Sequence, residues 1–80
     1  MFYEVYALKS NDEFQMIVRA LVKAGQEHQI IFDKNDVENV IEITQSAKLP
    51  IVVLIANGNR SWIGNYESLK QHLERRKYVK

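Results

Sequence analysis

The chain contains no cysteine. That excludes disulfides, thiolate-bound metal and every mechanism that relies on a sulfur nucleophile. It says little about compartment, because a protein without thiols is indifferent to redox state. A dominant charge is missing too: 11 Lys and Arg face 10 Asp and Glu, for a net +1. Nothing global therefore pulls the chain towards nucleic acid, acidic substrates or a membrane. No apolar run approaches the roughly 20 residues that span a bilayer. The opening MFYEVYALKS also lacks the basic n-region and cleavage site of a secretory signal. The expectation is a soluble, cytoplasmic protein with no membrane partner.

Eighty residues, 46% of them hydrophobic, support a single globular domain over 1–80. A domain of this size buries only about 60% of its unfolded surface, so its core must be economical. Phe2 to Leu8 is apolar and aromatic except for Glu4, and predicts a largely buried strand. Phe14, Ile17, Val18, Leu21 and Val22 follow helical spacing and form an apolar stripe. Ser10 and Glu13 offer a capping box at its start, and Gly25 a C′ residue at its end. His28 to Phe32 predicts a second strand. Asn35 and Glu38 then open a helix bearing Val37, Val40 and Ile41, expected to end near Ala47 ahead of Pro50. Ile51 to Ile55 predicts the strongest strand. Asn57-Gly58-Asn59 predicts a tight turn into a partner strand over Ser61 to Ile63. A last helix opens around Asn65 and buries Tyr66, Leu69 and Leu73. The order is β-α-β-α-β-β-α, with a parallel first βαβ unit and an antiparallel terminal hairpin.

The one proline, Pro50, stands directly before the most apolar run: Leu49-Pro50-Ile51-Val52-Val53, followed by Ser61-Trp62-Ile63-Gly64. These segments resemble those of the glutaredoxins, especially the small redoxins that serve ribonucleotide reductase, and the likeness covers nearly the whole chain. The resemblance implies a thioredoxin-like, α/β fold: a four-stranded mixed sheet flanked by three helices. It also implies a cis Leu49–Pro50 bond facing the family's active site. The other reading of Pro50 is that it ends the second helix and starts an edge strand.

Where the family carries C-x-x-C, this chain reads Asn11-Asp12-Glu13-Phe14, counted either from Tyr6 or back from Gly25. Asn11 and Phe14 occupy the cysteine positions, and neither can attack or resolve a disulfide. Asp12 and Glu13 add negative charge at a helix start that in the family stabilises a thiolate. The family's Gly-Gly-x-Asp turn for glutathione is here Gly64-Asn65-Tyr66-Glu67, with Asn65 better suited to capping a helix. Glutathione binding is therefore disfavoured. His28 and His72 lack ligand spacing, so no metal and no cofactor are expected. Arg75, Arg76, Lys77 and Lys80 form a basic tail, which complements a helix dipole or touches phosphates; nucleic acid is disfavoured as a partner.

The expectation is a non-enzymatic, cysteine-less glutaredoxin-like protein that binds another protein. Its surface would comprise Asn11, Asp12, Glu13, Phe14, Leu49, Pro50, Trp62, Ile63 and Gly64. Trp62, the only tryptophan, either anchors that interface or packs over the hairpin. One alternative is a redoxin-type module that docks to ribonucleotide reductase, a reductase or glutathione without electron transfer. A second is nucleic-acid association through the tail.

Overall fold

Alternation and helical periodicity in the sequence become seven elements, and the computed structural model describes residues 1–45 and 49–75 of the chain. In order they are β1 (Phe2–Tyr6), α1 (Asp12–Lys23), β2 (His28–Ile31), α2 (Lys34–Thr44), β3 (Ile51–Ala56), β4 (Asn59–Gly64) and α3 (Tyr66–Arg75). The strands form one mixed sheet in the order β2-β1-β3-β4. β1 and β2 run parallel, with Val5 opposite Ile30. β3 is antiparallel to both neighbours, with Val5 opposite Val52 and Leu54 opposite Ser61. The chain is therefore α/β, with a four-stranded mixed sheet and three helices. Among the described residues, no helix is long and apolar enough to cross a membrane.

Both faces of the sheet are covered, and this explains why β1 and β3 read as nearly unbroken apolar runs. Tyr3, Val5, Val52 and Leu54 face one way, against Phe14, Ile17 and Leu21 of α1 and Leu69 and Leu73 of α3. Tyr6, Ile51 and Val53 face the other way, against Val37 and Val40 of α2. Leu69 and Leu73 are fully buried, each contributing about 1.5–3 kcal/mol, and with half-buried Tyr66 they seat the short helix α3 on the sheet.

The turns obey local chemistry. Asn57 and Gly58 both have positive φ, the two-residue hairpin geometry that matches strand twist. After α1 the N–H of Gly25 donates to Val22 O and that of Gln26 to Leu21 O, a Schellman motif closed by Gly25 at φ +68°. The Leu49–Pro50 bond is cis.

Several expectations need correction. Val22 is 63% exposed, because the arc that α1 buries is the narrow one through Phe14, Ile17 and Leu21, and Val22 lies a further 100° round the helix. Leu8 is exposed because β1 ends at Tyr6. α2 is capped by Asp33, whose carboxylate accepts from Asp36 N–H at 3.1 Å, so it begins earlier than Asn35 implied. It closes at Thr44, with Gln45 in the left-handed region. The expected helix end near Ala47 lies outside the described residues, as do Arg76, Lys77 and Lys80.

Candidate functional site

Three cap-competent residues, Ser10, Asn11 and Asp12, stand in a row before α1, and the structure selects the middle one. Asn11 has extended backbone angles, and its Oδ1 accepts the Phe14 N–H at 2.8 Å. The expected capping box of Ser10 with Glu13 does not form. Ser10 Oγ instead accepts from the Gln15 side chain. Glu13 reaches the other way, to the start of α3, where its Oε2 accepts the Tyr66 N–H at 3.2 Å. Asn65 caps α3 as its residue type predicts, accepting the Ser68 N–H at 3.1 Å. One orphan N–H of α1 and two of α3 are thus satisfied by the chain's own side chains.

Strand register brings these helix starts to one end of the sheet. Tyr6, the last residue of β1, lies opposite Ile51, and Gly64, the last of β4, lies opposite Val52. The Leu49-Pro50 bend, the loop into α1 and the loop into α3 therefore share that end. An open concavity of about 360 Å³ sits there, lined by Asp12, Glu13, Met16, Asn65, Tyr66 and Glu67. Three of its six residues are carboxylates, so it carries a negative field.

The remaining expected residues disperse. Phe14 is buried and its ring lies 5.5 Å from that of Phe32, as its place in the apolar stripe implied. Pro50 is fully buried and Leu49 half-buried. Gly64 is buried at φ +113°, and a Cβ there would come within 3.1 Å of Ser68 Oγ, so the glycine serves packing. Ile63 is half-buried against the core beneath α1 and α3. Trp62 is 53% exposed. It lies opposite Val53, on the α2 face, and lines a cleft of about 100 Å³ with Val40, Ile43 and Thr44. That cleft has no residue in common with the acidic concavity.

One polar cluster escaped sequence reading. Glu4, only 8% exposed, sits in the central strand β1 under α2. The Tyr6 hydroxyl donates to its Oε1 at 2.7 Å, and Arg60 reaches in from β4, with Nη1 3.3 Å from Glu4 Oε1 and 3.1 Å from the Tyr6 oxygen. Burial, then the Glu4 hydrogen bond, push the Tyr6 phenol above its ordinary value, against the opposing pull of Arg60. The Arg60 guanidinium is raised in turn by its hydrogen bond to Tyr6 and by the charges around it. A lone Glu in an apolar strand was the only available signal, and it does not name a partner 56 positions away. On the opposite face, Tyr3 and His72 share a hydrogen bond of 3.0 Å, which gives His72 a structural role. Among the described residues, no group of three His, Asp or Glu could hold a metal ion.

Comparison with known proteins returns nothing: no family model, no curated protein and no solved structure matches this chain.

Proposed function

We propose that this protein is a thioredoxin-like, cysteine-less binding module that recognises another protein at the sheet end where α1 and α3 begin. The observation that carries the reading is the fate of the N–H groups there. Asn11 takes the Phe14 N–H, Glu13 the Tyr66 N–H and Asn65 the Ser68 N–H. A catalytic redoxin needs free donors and positive potential at that place to hold a thiolate. Here the Phe14 N–H is taken by Asn11, and Asp12, Glu13 and Glu67 set negative charge against the positive ends of the two helices. Strand order supports the glutaredoxin likeness of the scaffold, and the cap chemistry argues against redox work and against an anionic ligand such as glutathione. A basic or neutral segment of a partner protein suits the concavity, with Tyr66 and Met16 as its apolar floor.

An unbiased interaction screen, followed by affinity measurements on the recovered partner, tests the reading. Asp12→Lys should weaken binding on the order of tenfold, by replacing attraction with repulsion at a partly desolvated rim. Unchanged affinity in that variant, with loss on charge reversal at Arg75, would move the site to the C-terminal end of α3. Recovery of a thiol-dependent redox enzyme would favour the docking form of the redoxin reading over an unrelated partner.

A further inference from the structure

The acidic concavity does not end at Tyr66. Met16 and Tyr66 also line a second opening, of about 300 Å³, further along the seam between α1 and α3, so the two form one groove. Its floor is apolar: Met16, 43% exposed, with Ala20, Tyr66 and Leu73. Its charge changes sign along its length. Asp12, Glu13 and Glu67 stand where the two helices start. Arg19, Lys23 and Lys70 follow further along, with Glu74 the one carboxylate among them. Arg19 and Lys70 lie outside the last turns of their helices, so complementing the helix dipoles does not account for them. Among the described residues, none of these three cations makes an ion pair.

From this we infer that the groove receives an amphipathic helix of the partner protein, running antiparallel to α1, with acidic residues in its first turn and basic residues in its last. The inference rests on the proposed binding at the acidic concavity and extends it along the whole seam. Helices wall the groove and spend their interior backbone groups within themselves, so the seam offers no ladder to the main chain of an extended segment. A helical occupant satisfies its own backbone and needs only an apolar stripe for the floor and charge at its two ends. Its direction follows from those charges. The end over Asp12, Glu13 and Glu67 is basic, and the end over Arg19, Lys23 and Lys70 is acidic. A helix carries acids best at its N-terminus and bases best at its C-terminus, so the N-terminus of the occupant belongs over Lys23. From Asp12 to Lys23 the groove wall runs about 16 Å, and a helix of about three turns covers both charged ends.

The probe is an acetylated, amidated peptide of about fourteen residues, with two Glu at its start, two Lys at its end and leucines at helical spacing between. A comparison peptide has the same composition but carries one Glu and one Lys at each end. The full chain should bind the first on the order of tenfold more tightly than the second. Lys23→Glu combined with Lys70→Glu should remove most of that difference, and so should Asp12→Lys. Glu42→Lys, on α2 across the sheet, should leave it unchanged. A nitroxide on the first residue of the bound peptide should broaden the amide signal of Lys23 and spare that of Asp12, which general charge attraction would not do. The inference is overturned if the two peptides bind alike or neither binds, if the broadening falls on Asp12, or if Glu42→Lys acts like Asp12→Lys. Weaker binding by Asp12→Lys alone, with the reversal at Lys23 and Lys70 silent, overturns the groove and leaves the acidic concavity standing. Weaker binding by the reversal at Lys23 and Lys70 alone overturns both.

Discussion

Asn11 shows how one residue decides between two chemistries. Its carboxamide caps the start of α1 by accepting the Phe14 N–H, at the place where the proposed redoxin likeness would put the first cysteine. Asn11→Ala should cost about 1 kcal/mol in chemical denaturation, the usual value of an N-cap, and Ser10→Ala clearly less. Equal losses at the two positions would mean that the cap is shared. Tyr6 offers a second residue-scale test. Its folded pKa is raised above the ordinary 10.0, so folding favours the protonated phenol. The stability it contributes is complete below pH 10.0 and is lost as pH rises through the higher folded value. Ultraviolet titration of wild type minus Tyr6→Phe should place the missing phenol above the ordinary tyrosine range, and a difference curve centred at the ordinary value would contradict the burial and Glu4 hydrogen bond that raise it.

At the scale of elements, the start of α1 carries the most direct test of register. If Asn11 and Phe14 stand where a redoxin has its cysteines, Asn11→Cys with Phe14→Cys should form an intramolecular disulfide on mild oxidation. The double variant should be less stable, by about 3 kcal/mol or somewhat less, because Phe14 is buried against Phe32. A folded double variant that stays reduced would show the alignment to be wrong. The elements themselves were legible because their signals are local. Gly25 at a helix end, Asn57-Gly58 between apolar strands and Asn65 before a helix each impose backbone geometry within a few residues. What was not legible depends on distant partners. Glu13 fits a capping box as well as it fits a reach to Tyr66, 53 positions away, and only tertiary packing decides between them. Val22 fits the apolar stripe by spacing, yet the sheet and α3 cover a narrower arc than the sequence pattern allows. Glu4 becomes intelligible only once β4 has folded back beside β3 and brought Arg60 over it.

For the whole molecule, the proposal separates scaffold from chemistry, as the general independence of fold and function permits. The scaffold is a sheet ordered β2-β1-β3-β4 with the starts of α1 and α3 gathered at one end, which the proposal takes for a redoxin-like platform. The residues at that end make an acidic concavity. Dithiol-dependent insulin reduction should run at the buffer rate, since thiol–disulfide exchange needs a sulfur nucleophile and the chain has none. A protein-dependent rate above that baseline would require a different mechanism altogether. The central claim is the location of the binding surface, and the amide footprint of the recovered partner on isotope-labelled protein measures it most directly. The account predicts that the signals of Asp12, Glu13, Asn65, Tyr66 and Glu67 shift on titration, while those of β2 and of Arg75 stay in place. Shifts confined to the neighbourhood of Arg75, with Asp12 and Glu13 unmoved, would contradict it.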